Sequence, residues 1–180
     1  MNIVSVAVFC GSHTGQDPVF AQQAQHLGKL IAKNKLKLIY GGGKAGLMGV
    51  VAEAVLKSDG EVVGIIPEFL RAKEHQHQGL TELAVVSDMH VRKKMLYERA
   101  DIAIILPGGF GTLDELFEIL TWNQLRLHEK KIYLLNSGNF YVHLIKHLRH
   151  MQSEGFLYDE ITERIIFCDN PDEIFVMLNK

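Results

Sequence analysis

The chain has 180 residues, of which 47% are hydrophobic and 22% are charged, a composition that suits one domain with a sizeable core. Its 19 Lys and Arg residues and 21 Asp and Glu residues give a formal net charge of -2. Because no basic block or acidic tail interrupts the chain, we expect it to bind neither nucleic acid nor a membrane surface.

Short apolar runs alternate with amphipathic segments along the whole chain. The runs predict strands at 3–9, 36–40, 61–66, 82–86, 101–106, 131–135 and 164–168. The amphipathic segments predict helices at 18–33, 47–58, 88–99, 112–127, 139–153 and 171–178. Most strands are rich in Val, Ile and Leu without strict alternation, which is typical of strands covered on both faces. The pattern therefore predicts a single α/β domain over residues 1–180, with a mostly parallel sheet of about seven strands and helices on both faces.

The N-terminal sequence and the cysteines bear on the compartment. The start, MNIVSVAVFCGS, is apolar but lacks the basic residues and the length of a signal peptide. No apolar run approaches the roughly 20 residues of a membrane-spanning helix. Cys10 and Cys168 each end an apolar run, where a reduced, buried thiol is the expected state. We expect a cytoplasmic protein.

Glycine-rich turns follow the first, second and fifth predicted strands, with the sequences CGSHTG, YGGGKAGLMG and PGGFGT. In a parallel sheet the carboxyl ends of the strands meet at one edge, where ligands bind. In PGGFGT, Gly108, Gly109 and Gly111 let the backbone approach an anion, and Thr112 is expected to open a helix with free N–H groups. The alternative is a plain tight turn between strand and helix.

The second glycine turn also matches a dinucleotide fingerprint, G-x-G-x-x-G, over residues 41–46. Glu68, beyond the next strand, is a candidate for the acid that binds the ribose. The usual unit opens on the first strand, so we do not favour nicotinamide binding. A Walker A loop is excluded because Lys44 is not followed by Ser or Thr.

Two acids, Asp114 and Glu115, directly follow the PGGFGT turn. A carboxylate repels a phosphate, so these acids need another role. One explanation is a capping box, with Thr112 as N-cap and Glu115 at the third helical position. The other is a catalytic carboxylate at Glu115, with Asp114 a solvated acid favoured by the helix dipole.

The segment DMHVRKK predicts a helix at the same edge of the sheet, capped by Asp88. Arg92 and Lys93 either face the glycine-lined crevice as a cationic pair or pack their stems on the apolar stripe and reach water with their charges. His143, His147 and His150 share one helical side. We interpret that side as solvated, not as a metal site, because Lys and Arg border it.

Together, VFCGS, YGGGKAGLMG, GLTEL, DMHVRK, PGGFGTLDE and TWNQLRLH resemble the Lonely-Guy family of nucleotide phosphoribohydrolases. Those enzymes release cytokinin bases from their riboside 5′-monophosphates. The resemblance spans nearly the whole chain, and the motifs M-H-x-R-K and P-G-G-x-G-T-x-x-E are specific. Many members are described as possible lysine decarboxylases, but no lysine here lies in a recognisable pyridoxal context.

The resemblance implies a Rossmann-like, doubly wound fold and a homodimer with its active site near the subunit interface. It places the catalytic Arg at Arg92 and the catalytic Glu at Glu115, with no cofactor and no metal. The implied substrate-binding residues are Gly11, Ser12, Gly42, Gly43, Glu74, Met89, Lys93, Gly108, Gly109, Gly111, Thr112 and Thr121. The apolar helix near Met89, Met95 and Leu96 is weak further support for a dimer. The sequence departs from the family where His13 replaces a common serine.

Two functions remain open. The first is hydrolysis of a purine nucleoside 5′-monophosphate, either a cytokinin precursor or AMP, in which Glu115 stabilises the positive charge that develops on the ribose. The second is a nucleotide or molybdenum-cofactor carrier, which needs glycine loops but no Arg–Glu pair. The presence of both Arg92 and Glu115 favours the enzyme.

Overall fold

Seven parallel strands form one sheet in the computed structural model, which describes residues 3–71 and 76–178. The strands are β1 (Ser5–Phe9), β2 (Lys37–Tyr40), β3 (Val62–Pro67), β4 (Glu82–Val86), β5 (Ile102–Ile105), β6 (Ile132–Leu135) and β7 (Ile166–Cys168). Every neighbouring pair in the sheet is parallel. All seven predicted strands are confirmed, each within a few residues of its expected bounds.

Within residues 3–71 and 76–178, seven α-helices connect these strands or follow them. They are α1 (Pro18–Lys33), α2 (Gly46–Leu56), α3 (Met89–Glu98), α4 (Phe110–Gln124), α5 (Val142–Ser153), α6 (Ile161–Arg164) and α7 (Pro171–Leu178). The six predicted helices are confirmed. Helix α6 was not predicted, because four residues are too few to show a helical period.

The strand order is β4-β3-β2-β1-β5-β6-β7. From β1 the chain winds outward in one direction as far as β4, and then returns to the other side of β1 with β5. The two directions diverge between β1 and β5, which is where ligands bind in doubly wound sheets. The predicted Rossmann-like fold is confirmed. The three glycine turns follow β2, β1 and β5, which are neighbours at the centre of the sheet.

Two apolar layers cover the faces of the sheet. Helices α1, α2 and α7 pack on one face, and α3, α4, α5 and α6 pack on the other. Leu96 of α3 is fully buried in the second layer, and Met95 packs against the same layer. These two side chains serve the core, so the support for a dimer that we drew from them was wrong.

Backbone contacts join the three glycine turns. The Gly11 N–H donates to the Pro107 carbonyl at 3.0 Å, and the Leu47 N–H donates to the Gly11 carbonyl at 3.0 Å. Gly46 adopts a left-handed conformation with φ of 59°, and a Cβ on it would lie 2.2 Å from the Ser12 carbonyl carbon. A side chain at this position would therefore separate the second turn from the first.

Helix length and hydropathy bear on membrane insertion. Across residues 3–71 and 76–178, none of the helices combines the length and the apolar character that a membrane crossing needs.

Candidate active site

A cleft of about 250 Å³ opens at the carboxyl ends of the central strands. The turn after β1 contributes Gly11 and Ser12, and the turn after β2 contributes Gly41. Helix α3 adds Met89 and Arg92, and the first turns of α4 complete the wall. The crevice predicted from the sequence is therefore present at the carboxyl edge of the sheet, where the two winding directions diverge.

The Arg92 guanidinium is buried in the cleft wall. The residue is only 5% exposed, so its charge is not directed to water and the snorkelling explanation is wrong. Its Nη2 donates to the Gly41 carbonyl at 3.1 Å, and Nη1 lies 3.8 Å from the Met89 sulfur. A guanidinium held this deeply is costly unless hydrogen bonds and negative charge compensate for the lost water.

Gly41 makes room for that guanidinium. A Cβ at this position would lie 2.1 Å from Arg92 Nη2, far inside van der Waals contact. The glycine is needed here for space, because its carbonyl and the guanidinium approach each other directly.

Asp88 begins α3 and thereby orients Arg92. Its carboxylate accepts hydrogen bonds from the N–H groups of His90 and Val91 at 2.8 and 3.0 Å, which confirms the predicted N-cap. The Ser87 hydroxyl, followed by the Val91 and His90 N–H groups, lowers the pKa of Asp88, although the slight burial opposes this. The cap fixes the first turn of the helix, and Arg92 lies at the end of that turn.

Helix α4 begins earlier than its sequence pattern predicts. Gly109 is the N-cap and Phe110 the first helical residue, so Thr112 lies inside the first turn. The predicted capping box at Thr112 and Glu115 is therefore wrong. Among the described residues no side chain caps the helix, and its first residues, Phe110 to Thr112, line the cleft. Without the capping box, helix initiation no longer explains Glu115.

Glu115 lies in the second turn of α4 and lines the cleft. Burial, and then the negative charge of Glu115, raise the pKa of the Cys10 thiol, which also lines the cleft. The thiol is therefore neutral at physiological pH, and Cys10 lacks the thiolate that a cysteine nucleophile requires. The Glu115 carboxylate is thus close enough to act on the Cys10 thiol, and Asp114 lines the same cleft.

The glycines of the PGGFGT turn divide into two kinds. A Cβ on Gly108 would lie 2.1 Å from Thr112 Oγ1 and 2.8 Å from the Gly11 nitrogen. A Cβ on Gly109 or Gly111 would meet no heavy atom of the described residues within 4 Å. Gly108 is thus required by packing, whereas Gly109 and Gly111 leave open space at a helix N-terminus.

Comparisons with known proteins bear on this site. A family model described as "Possible lysine decarboxylase" matches residues 48–178. A cytokinin riboside 5′-monophosphate phosphoribohydrolase of Rhodococcoides fascians is 48% identical over 165 residues, 91% of this chain and 83% of that protein. A protein of the same name from Arabidopsis thaliana is 38% identical over 175 residues, 97% of this chain and 81% of that one. The chain belongs to the Lonely-Guy family.

Solved structures with much lower sequence identity share the fold. The molybdenum cofactor carrier protein of Chlamydomonas reinhardtii superposes with a TM-score of 0.74 at 15% identity, covering 99% of this chain and 97% of that one. At such identity the likeness concerns the fold alone.

The structure brings together part of the residue set that the Lonely-Guy resemblance implies. The cleft is lined by Gly11, Ser12, Met89, Arg92, Gly109, Gly111, Thr112 and Glu115. Gly108 lines a neighbouring pocket and lies against Thr112, whose Oγ1 would be 2.1 Å from a Cβ on Gly108. Glu74 is outside the described residues.

Four of the implied residues have other surroundings among the residues described. The Gly42 carbonyl accepts from the His77 N–H at 3.0 Å, and Gly43 forms a β-bridge with Gln76. The Lys93 ammonium donates to Asp114 at 3.0 Å. The Thr121 hydroxyl donates to the Phe117 carbonyl at 2.7 Å, beside a separate groove between α4 and α5. Their binding roles remain predictions.

Five apolar residues that line the cleft were not predicted as site residues: Val8, Phe9, Met48, Leu70 and Phe110. Phe110 is 94% exposed at the start of α4. Apolar residues have no polar signature, and only their position at the carboxyl edge of the sheet assigns them to the cleft. A motif search for charged groups and glycines therefore misses them.

Histidines and acids do not form a metal centre in the described parts of the chain, where no three such side chains are arranged to hold an ion. His143, His147 and His150 lie exposed on α5.

The two kinds of glycine predict different losses of stability when each is replaced by alanine. Gly108→Ala is expected to destabilise the fold by about 1–3 kcal/mol, because its methyl group collides with Thr112 and the Gly11 backbone. Gly109→Ala and Gly111→Ala are expected to change stability by less than about 1 kcal/mol. Chemical unfolding of the three variants measures this difference. Equal losses in the three variants would contradict the steric distinction between Gly108 and the other two glycines.

Proposed function

We propose that this chain hydrolyses the N-glycosidic bond of a purine nucleoside 5′-monophosphate, yielding the free base and ribose 5-phosphate. The observation that carries the proposal is the arrangement of the cleft: a buried Arg92 and the Glu115 carboxylate line the same cavity as an open, glycine-rich helix N-terminus. The names of the Rhodococcoides fascians and Arabidopsis thaliana relatives support the same activity.

The phosphate is proposed to bind at the N-terminus of α4. The free N–H groups there and the positive end of the helix dipole favour an anion. The open space at Gly109 and Gly111 allows phosphate oxygens to approach the backbone. This interaction holds one end of the nucleotide, away from the bond that breaks.

Glu115 is proposed to act on the ribose. As the base leaves, positive charge develops on the ribose ring, as in other glycoside hydrolyses. A carboxylate in the second turn of α4 lies one turn from the phosphate position, which is the distance between a 5′-phosphate and the sugar ring. It stabilises the developing charge and orients the water whose oxygen joins C1′ when the C1′–N bond breaks.

Arg92 is proposed to make this arrangement possible. Two anionic groups, the phosphate and the Glu115 carboxylate, repel each other when both lie in the cleft. The buried guanidinium supplies the compensating positive charge, and Gly41 and Met89 fix its position.

The carrier alternative has less support. The likeness to the molybdenum cofactor carrier protein is a likeness of fold at 15% identity. A carrier needs an anion-binding edge but has no use for a buried Arg beside a carboxylate that repels its cargo.

The protein is further proposed to act as a homodimer in the cytoplasm, with the active site near the subunit interface. The family resemblance supports the dimer. So do Phe110 and Phe69, which are 94% and 63% exposed at or beside the cleft and gain from being covered. Free, buried Cys10 and Cys168 suit a reducing compartment.

Glu115→Gln is expected to lower kcat by about 10²–10⁴-fold while AMP affinity stays within a few-fold. The amide keeps the size of the carboxylate but cannot stabilise a cation. Base release from AMP and its N6-isopentenyl analogue, beside calorimetric AMP binding, gives both numbers and shows which base is preferred. The matched control is Glu129→Gln, on the exposed loop after α4. Near-normal turnover in Glu115→Gln would contradict the catalytic role.

The 5′-phosphate is expected to be required. Removing it loses the binding energy that orients the ribose, so kcat should fall together with affinity. The measurement is the initial rate of base release from adenosine, AMP and ATP. ATP is expected to be a poor substrate because its extra negative charge approaches Asp114 and Glu115. Gly111→Ala, whose methyl group enters the proposed phosphate position, should raise the KM for AMP about tenfold or more. Comparable rates for adenosine and AMP would rule out this anchor.

Light scattering is expected to give about twice the chain mass of 20.3 kDa. If the active site lies near the interface, specific activity should also fall on dilution through the dissociation range, because each cleft then loses its partner. A particle of single-chain mass with full activity would exclude the dimer.

A further inference from the structure

A polar network connects the two helices that carry Arg92 and Glu115. The Lys93 ammonium lies 3.0 Å from the Asp114 carboxylate and 3.2 Å from that of Glu118. The Tyr97 hydroxyl oxygen lies 3.0 Å from Glu118 Oε2 and 3.1 Å from the Glu115 main-chain carbonyl. Lys93 and Tyr97 belong to α3, and the three acids belong to α4.

Lys93, Glu118 and Tyr97 are largely withdrawn from solvent, whereas the Asp114 side chain is 58% exposed. The Lys93 side chain is 13% exposed and that of Glu118 is 24% exposed, while Tyr97 is buried. The Tyr97 ring also packs edge-on against Phe9, with ring centroids 5.7 Å apart, and against Trp122 at 4.8 Å. Ion pairs with this degree of burial are held in one geometry and are screened less than surface pairs.

Each end of the network adjoins a residue of the proposed chemistry. Lys93 follows Arg92 in α3, and Asp114 precedes Glu115 in α4. The Tyr97 hydroxyl contacts the Glu115 backbone itself. If α3 shifts along α4, the guanidinium and the carboxylate separate, and a misplacement of about 1 Å can cost about 10²-fold in rate.

We propose that Lys93, Glu118 and Tyr97 are positioning residues, which hold α3 against α4 so that Arg92 and Glu115 face each other across the substrate. The proposal rests on the proposed function and goes beyond it. It gives Lys93 a role through Asp114 and Glu118 instead of through the phosphate. It also explains why two acids follow the glycine turn: Asp114 secures the helix, and Glu115 acts in the cleft.

The burial of the network has electrostatic consequences. Burial, with the charges of Glu118 and Glu115, raises the pKa of Tyr97, so its phenol stays protonated and remains a hydrogen-bond donor. Burial lowers the pKa of Lys93, but hydrogen bonds to Asp114 and Glu118 outweigh it and raise the pKa overall. Both donors therefore persist across the physiological pH range.

The test is a double-variant cycle in the full-length protein, with AMP as substrate. Lys93→Met and Glu118→Gln are each expected to lower kcat about tenfold, with KM changed less than twofold. The double variant is expected to be no slower than the slower single one, because either change already breaks the pair. Lys93→Arg should restore most of the rate. Tyr97→Phe, which keeps the ring contacts, should lower kcat several-fold.

A matched control lies on the exposed side of the same helix. Lys94 and Glu98 form a pair at 3.7 Å with both side chains more than 60% exposed, and Lys94→Met with Glu98→Gln should leave kcat unchanged. If Lys93 binds phosphate instead, Lys93→Met raises KM, Glu118→Gln does not, and the effects multiply. That result overturns the proposal. An equal loss of kcat in the control pair would do so too. Absence of base release by the unmodified protein would instead reject the proposed function, independently of the network.

Discussion

The buried guanidinium of Arg92 is the constraint on which the rest of the site depends. A charge taken out of water must regain its interactions from the protein, or the fold pays several kcal/mol. Gly41 supplies part of these interactions. Its carbonyl accepts a hydrogen bond from Arg92 Nη2, and because it has no Cβ the guanidinium can come close enough to donate. The Asp88 cap fixes the helix from which Arg92 projects.

The two acids after the glycine turn separate into two environments because of helix geometry. Neighbouring residues in a helix point about 100° apart, so the Asp114 carboxylate reaches Lys93 on α3 while Glu115 lies beside Cys10, although both acids line the cleft. A carboxylate next to a phosphate is then tolerable, since one acid is neutralised by a lysine and the other faces a cleft with a buried arginine in its wall.

The sequence predicted the sheet well because central parallel strands are buried on both faces, and their Val- and Ile-rich runs carry that signal. It predicted the start of α4 poorly. Thr112 and Glu115 have the spacing of a capping box, but the preceding glycines let the chain turn into the helix at Phe110, two residues sooner. The family resemblance directed attention to Arg92 and Glu115, and both residues line the cleft. The sequence did not predict that Met48 and Leu70 line the cleft, nor which residues pair with Lys93, because these contacts depend on how distant segments pack.

A shared fold does not fix the function, which depends on the charged side chains placed in the cleft. The molybdenum cofactor carrier protein shares the fold, with a TM-score of 0.74 at 15% identity, and doubly wound sheets in general offer helix N-termini at which an anion can bind. Such a site binds phosphate but cannot by itself favour one bond over another. Bond cleavage needs charge placed where the transition state develops it, held rigidly enough that the placement costs nothing during the reaction. In the proposed mechanism α3 and α4 supply that charge through Arg92 and Glu115, and the contacts between these helices, more than the sheet, would separate an enzyme from a carrier.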